Sequence, residues 1–251
     1  MHILLTNDDG VNAPGLLALK QALDPLGKVT VVAPSRNYSA AGHRKTLHKP
    51  LRLDEAQLAD GSPAWVCSGA PSDCVALVLL GFIKEKIDLV VSGINPYPNL
   101  GQDLTYSGTV TAALEALIAG VPGVAVSTVS ATLANFENAA QITARIILTF
   151  SESGAMPKTV LNVNVPTGPD IKELRITRLG QSVYRDVLVE RLDPRSKPYY
   201  WIGGEIPTGV EAEGTDFWAL ANGYVSITPL QLDLTNYELM SKLEAMLRAK
   251  E

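Results

Sequence analysis

Short runs of aliphatic and β-branched residues recur along the first two-thirds of the chain, most of them followed by a polar turn and then an amphipathic stretch. His2–Thr6 (HILLT), Lys28–Ala33 (KVTVVA), Ala64–Cys67, Ile87–Val91 (IDLVV), Val124–Ser127 and Thr159–Val165 read as strands. They lack the in–out alternation of a half-solvated strand, which predicts burial on both faces. Between them, Pro14–Leu23, Ser72–Ile83, Gly108–Ala119 and Asn135–Phe150 read as helices. Pro14 stands near the first turn of one, Pro71-Ser72-Asp73 opens the next, and Gly120 closes the third. Leu51–Leu53 reads as a short edge strand. Strands alternating with helices imply parallel crossovers, so the expected class is α/β, a parallel sheet with helices on both faces.

After Pro166 the pattern changes. Ile171–Leu179 and Ser182–Arg191 read as extended, and LDPRSKPYYWIGGEIP brings proline, glycine and aromatics together. Gly223–Thr228 reads as one more strand and Asn236–Lys250 as a terminal helix. The expected division is a core over residues 1–166 and a β-rich extension over residues 167–251. The extension contains a late core strand and the terminal helix, and its exposed hairpins suit oligomer contacts.

Composition narrows the function classes. The 251 residues are 46% hydrophobic and 19% charged, the balance of a globular protein with one large domain or a core plus an appended segment. A net charge of −5 with no basic stripe argues against a nucleic acid polymer or an anionic membrane as partner. The longest apolar run, Cys74 to Ile83, contains Gly81 and is far short of the ~20 residues that span a bilayer. The opening residues lack the basic and long apolar regions of an export signal. Cys67 and Cys74 match neither a redox nor a zinc spacing and read as buried free thiols of a reducing cytosol. A cytoplasmic protein is the expectation.

In open parallel sheets ligands bind at the carboxyl ends of the strands. Here those ends are rich in oxygen: Asn7-Asp8-Asp9-Gly10, Ser35-Arg36-Asn37-Tyr38-Ser39, Ser68-Gly69-Ala70-Pro71-Ser72, Ser92-Gly93-Ile94-Asn95 and Ser127-Thr128. Adjacent carboxylates after a buried strand repel one another, and desolvation raises that cost. A single Asp there would read as a turn or a helix cap. The pair Asp8–Asp9, with Asn and Ser arriving from other strand ends, reads as a metal site. Asn95 offers an amide oxygen and Ser39 a hydroxyl that alone would be an ordinary loop group. His2, His43 and His48 show no metal spacing. Oxygen ligands suit Mg²⁺, Mn²⁺ or Ca²⁺ rather than structural zinc.

The second signal is Ser107-Gly108-Thr109 entering a helix of small residues. Taken alone, Ser107 or Thr109 is an N-cap. With a metal rim beside it, the free amides and the helix dipole suit a phosphate. A metal with few protein ligands next to an anion-binding helix end describes a phosphoester hydrolase. There is no Walker A run, no GxGxxG after the first strand and no GxSxG elbow.

ILLTNDDG-x-x-A-P-G, APSRNYSAAG, Ser92-Gly93-Ile94-Asn95, the run from Asn99 to Val110 and TDFWALANGYVSITPL, in this order along nearly the whole chain, resemble the SurE survival-protein family. The resemblance implies a Rossmann-like core, a β-rich C-terminal extension used for dimerisation, and homodimers or homotetramers. It implies a cytoplasmic, metal-dependent phosphatase acting on nucleoside 5′-monophosphates, with 3′-monophosphates as further candidates. It also implies Asp8, Asp9, Ser39 and Asn95 as ligands of one divalent cation, Mg²⁺ or Mn²⁺ ahead of Ca²⁺. Ser107, Gly108 and Thr109 would then line the phosphate. Asp8 and Asp9 are the candidate catalytic residues, Asp9 also orienting the water. A nucleotide-dependent transferase and a non-catalytic nucleotide or metal sensor are the rival readings. One segment departs from the family pattern: Tyr97 stands where a glycine is usual, flanked by Pro96 and Pro98. Tyr97 is expected to pack against the protein, with stacking on a nucleobase as the alternative, and the backbone after Asn95 is expected to differ.

Overall fold

The computed structural model describes residues 1–153, 158–168, 170–205 and 207–248. Six strands run parallel: β1 (His2–Thr6), β2 (Lys28–Pro34), β4 (Pro63–Cys67), β5 (Leu89–Asn95), β6 (Gly123–Thr128) and β7 (Val160–Val165). At one edge β3 (Leu53–Gln57) lies antiparallel on β4. At the other, β13 (Val225–Leu230) runs antiparallel to β7, and β8 (Leu174–Ile176) lies beside it. The spatial order is β3-β4-β2-β1-β5-β6-β7-β13-β8. The chain winds outward from β1 through β2 to β4, then returns to β5 and winds the other way. The reversal therefore falls between β1 and β5, where an open α/β sheet leaves a crevice.

Burial on both faces explains the unbroken apolar strands. Every residue of β1, β6 and β7 is buried. Successive side chains of a strand point to opposite faces. Ile3 and Leu5 accordingly join the cluster under α1 (Pro14–Leu23) and α4 (Leu133–Glu152). Leu4 joins Val32, Val90, Cys67 and Cys74 under α2 (Pro71–Leu77) and α3 (Gly108–Ile118). Each fully buried Leu or Ile stabilises the fold by about 1.5–3 kcal/mol. The small residues of α3 let it lie close to the sheet: a Cβ placed on Gly123 would stand 2.7 Å from the Ala113 carbonyl oxygen.

The strand expected at Ile87–Val91 is Leu89–Asn95 and so takes in Ser92–Asn95, and the outline differs from the sequence expectation in four further places. The edge strand is Leu53–Gln57 rather than Leu51–Leu53, because its register is set by pairing with β4. The second helix stops at Leu77; a wider π turn follows over Val78–Phe82, where Gly81 takes φ +111°. The expected extended run Ser182–Arg191 is two strands, β9 (Ser182–Val183) and β10 (Asp186–Leu192). A helix of six residues, α5 (Asp216–Ala221), was not expected. It is too short for periodicity to reveal and is begun by Thr215, whose hydroxyl accepts from the Trp218 amide.

In the extension, β9 pairs with β12 (Thr208–Gly209), and β10 forms an antiparallel hairpin with β11 (Pro198–Gly204). The hairpin exposes Val187, Leu188, Trp201 and Ile202. The last described element, α6 (Tyr237–Arg248), has no buried residue and exposes Leu239, Leu243 and Met246. The end of the expected terminal helix, and Ile206 of the LDPRSKPYYWIGGEIP stretch, lie outside the described residues.

Gly93, in β5 beside the reversal point, takes φ +147°, and a Cβ there would stand 2.5 Å from the Val126 carbonyl oxygen. Gly93→Ala should therefore destabilise the protein by about 1–3 kcal/mol or more, read as a lowered urea midpoint at unchanged slope.

Candidate active site

The turn after β1 is built by Asn7. Its buried side chain donates to the Gly10 carbonyl at 2.9 Å and accepts from the Gly10 amide at 3.1 Å. Gly10 takes φ +105°, a conformation glycine adopts without steric cost. This bracket presents Asp8 and Asp9 at the crevice. Asp8 is 3% exposed, and its Oδ1 accepts from the Thr109 hydroxyl at 2.6 Å. Its backbone carbonyl accepts from Tyr38 at 2.8 Å, which draws in the loop after β2. The approach of α3 is close enough that a Cβ on Gly108 would stand 2.8 Å from the Asp8 Cβ.

Asp9 is tied to the same loop. The Asn37 amide donates to Asp9 Oδ1 at 3.0 Å, and Asn37 Oδ1 accepts from the Ser39 amide at 2.7 Å. Asn37 thus links Asp9 to Ser39, an exposed residue. Asn95 ends β5, whose Ser92 pairs in register with Thr6 of β1. Its amide nitrogen donates to the Tyr97 carbonyl at 2.5 Å, so the amide oxygen is the atom it could offer to a cation. Among the described residues Asn95 makes no hydrogen bond to Asp8 or Asp9. So the fold joins Asp8, Asp9 and Thr109 directly and Ser39 through Asn37, and it sets Asn95 on the neighbouring strand end.

Ser107 is the N-cap of α3: its hydroxyl oxygen accepts from the Val110 amide at 3.1 Å. The capping and anion readings are compatible, because capping uses the oxygen and leaves the hydroxyl proton to donate. The Gly108 amide begins the helix with no preceding turn to satisfy it, and the Thr109 amide acts on the Asp8 carboxylate. The Ser39 loop is fastened to α3 by buried Glu115, which takes His43 and Lys45, each at 2.9 Å. Asp73, also buried, accepts from the Thr46 amide and hydroxyl at 2.8 and 2.7 Å.

Several residues of this site were not singled out by the sequence. Asn7 and Asn37 lie within the two signature loops but show nothing there beyond polarity. Asn99 is buried against β6 and β7: it donates to the Ser127 hydroxyl, and its carbonyl accepts from the Asn162 and Asn164 amides. Asn162 and Asn164, polar in a wholly buried strand, were the available signal. The packing expected of Tyr97 is not found: the ring is 70% exposed, because Asn99 rather than Tyr97 anchors the loop.

Burial pushes the Asp8 carboxyl above its ordinary range, against the pull of the Thr109 hydroxyl and of the Asp8 and Thr109 amides. Burial and then the Asp8 charge push Asp9 up to about 6, partly offset by Asn37. Among the described residues neither carboxylate enters an ion pair. No group of three or more His, Cys, Asp or Glu residues among them could hold a metal, so a ligand set here would need Ser or Asn oxygens as well. Two unneutralised carboxylates with neutral oxygens beside them fit a hard divalent cation.

Fold and site together define a class: a doubly wound, mostly parallel α/β protein with an oxygen-lined acidic crevice at the strand reversal, set against a helix N-terminus. Within that class the chain belongs to the SurE family. The family model described as "Survival protein SurE" matches residues 3–186. A "5'-nucleotidase SurE" of Herpetosiphon aurantiacus is 53% identical over 97% of each chain. One of Chloroflexus aggregans is 50% identical over 97% of this chain and 98% of its own. The crystal structure of the SurE protein from Aquifex aeolicus superposes with a TM-score of 0.82 at 41% identity, covering 98% of this chain and 99% of that one.

The raised Asp9 carboxyl has a measurable consequence. Because the fold favours its protonated form, its contribution to stability is complete below about 3.8 and is lost as the pH rises through about 6. In chelator-treated protein, Asp9→Asn should melt above wild type at about pH 7.5, and the gap should close as the pH falls towards about 4. Added Mn²⁺ should raise the melting temperature of wild type more than that of the variant, read by scanning calorimetry.

Proposed function

We propose that this chain is a divalent-metal-dependent phosphomonoesterase that converts nucleoside 5′-monophosphates to nucleoside and phosphate. The observation that carries the reading is the contact of the buried Asp8–Asp9 pair with the start of α3 through the 2.6 Å Thr109–Asp8 hydrogen bond. It sets a cation site and an anion site side by side, as a phosphate ester bound to a metal requires. The substrate class comes from the relatives, which carry the name 5′-nucleotidase. That is a hydrolase's name, and it argues against the transferase and sensor readings.

Asp8, Asp9, Ser39 and Asn95 would hold the cation, Mg²⁺ or Mn²⁺. When bound, it supplies Lewis-acid polarisation of the phosphoryl group and activation of a water nucleophile. Thr109 holds the Asp8 carboxylate in one orientation, and Asn37 does the same for Asp9. Asp9, the more open of the two, orients the attacking water in line with the leaving nucleoside oxygen. The Ser107 hydroxyl and the Gly108 amide receive the equatorial phosphoryl oxygens, where negative charge accumulates, and Thr109, whose hydroxyl and amide both act on Asp8, ties this phosphate-lining segment to the carboxylates. The site draws on two strand ends, the loop after β2 and the start of α3.

We assign residues 1–166 to the catalytic core. The exposed apolar residues of the β10–β11 hairpin and α6 support the extension as the homodimer or homotetramer interface. Two free buried thiols fit a cytoplasmic setting, and no helix among the described residues is long and apolar enough to cross a membrane.

Chelator-stripped protein should release no phosphate from a panel of 5′- and 3′-monophosphates, and Mn²⁺ or Mg²⁺ should restore release. Failure of every metal with folded protein would overturn the reading. Asp8→Asn should lower kcat/KM by about 10³-fold with the circular dichroism spectrum unchanged. Replacing the hairpin residue Ile202, which is 85% exposed, by Asp should shift the sedimentation coefficient towards the monomer.

A further inference from the structure

Between Asn95 and Ser107 lies a short helix, Gly101–Thr105, and the C-terminal extension grips three of its residues in succession. The Gly101 amide donates to Asp216 Oδ2 at 2.8 Å. The Ser182 amide donates to Gln102 Oε1 at 2.8 Å, and the Tyr184 hydroxyl donates to Asp103. Asp216 is wholly buried, and its other oxygen accepts from the Gly180 amide at 2.7 Å and the Phe217 amide at 2.9 Å. Its charge is met by backbone amides rather than by a cation, an arrangement that spends a buried carboxylate on holding loops together.

Phe217 completes the joint. Its ring is enclosed by three glycine backbones: a Cβ added to Gly101, Gly180 or Gly209 would stand 2.8, 2.6 or 2.1 Å from a ring carbon. Gly101 also takes φ +50°. No larger residue can occupy these positions without displacing the ring. On its other flank the segment is pinned by Asn99 to β6 and β7. It has no comparable support from its own helix, which is only five residues long.

We propose that Asp216 and Phe217 are positioning residues for the reaction: they hold Gly101–Thr105 and thereby set Ser107, Gly108 and Thr109 against Asp8. The inference rests on the phosphatase reading above and gives the extension a role inside each protomer, separate from assembly. Misplacement of reacting groups by about 1 Å can cost roughly 100-fold in rate, so a joint remote from the chemistry has leverage over it.

Asp216→Asn separates this role from general stability. The amide has one acceptor oxygen, so it serves Gly180 and Phe217 or Gly101, and its NH2 then faces an unpaired N–H. Phe217→Leu keeps the carboxylate and loosens the ring contacts. Ile227→Val, in β13 away from the segment, is the control for mild destabilisation. With adenosine 5′-monophosphate and saturating Mn²⁺, Asp216→Asn should lower kcat by about 10-fold or more, with KM changed by less than about 3-fold. Phe217→Leu should act in the same direction and less. Amide hydrogen exchange over residues 99–107 should accelerate in both variants and stay unchanged over β13. Ile227→Val should show neither effect. Wild-type kcat and wild-type exchange in folded Asp216→Asn, or changes no greater than those of Ile227→Val, would overturn the proposal. If the wild-type protein hydrolyses no nucleoside monophosphate, the phosphatase reading fails, and the exchange comparison still decides whether Asp216 holds the segment.

Discussion

Two carboxylates on consecutive residues, one of them almost fully buried, are set at the strand reversal without a basic partner among the described residues. Such a pair costs free energy in the folded protein, through desolvation and mutual repulsion. The surroundings lower that cost by directed hydrogen bonds rather than by a counter-charge. Asn7 brackets the turn, Thr109 takes Asp8, and Asn37 takes Asp9. Among the described residues no basic side chain pairs with either carboxylate, which is the arrangement the proposed cation site rests on. The same constraint explains Gly108: a side chain there would occupy the space of Asp8.

Around this centre the loops are long, and each is held by a buried polar residue reaching to a distant part of the chain. Glu115 binds His43 and Lys45, Asp73 binds Thr46, Asn99 meets Ser127, Asn162 and Asn164, and Asp216 joins Gly101 to Gly180. Buried polar groups must be paired, so each of these contacts has a narrow choice of geometry. The apolar sheet supplies stability without directional preference. The polar clamps supply position, and position is what a phosphoryl-transfer site needs, since such catalysis is mostly alignment and electrostatics.

The extension follows a different rule. Its hairpin and last helix expose apolar residues that a monomer leaves wet, and yet its inner parts, Gly180, Ser182, Tyr184 and Asp216, grip the short helix beside the site. One segment of chain therefore faces two ways. The outward face exposes apolar side chains, the basis of the interface proposed above. The inward face is polar and specific.

The strand and helix pattern of the core was legible in the sequence because both faces of the sheet are covered, so the strands appear as unbroken apolar runs and their exits as abrupt polar ones. The carboxylate pair was legible for a related reason: adjacent aspartates after a buried strand are hard to explain by folding alone. Asp8, Asp9, Ser39, Asn95 and Ser107–Thr109 could be proposed as site residues from local pattern. Their partners could not. Asn37, Asn99, Asp216 and Phe217 look like ordinary loop or helix residues until segments far apart in sequence are brought together, and α5 is too short to carry a period. Tyr97 shows the same limit from the other side: an aromatic between two prolines suggested packing, and the fold left it in solvent because Asn99 anchors that loop. Local sequence determines which groups are chemically capable, since residue type and period are local properties. Which hydrogen bonds orient them is decided by tertiary structure, because those bonds join residues up to 115 positions apart.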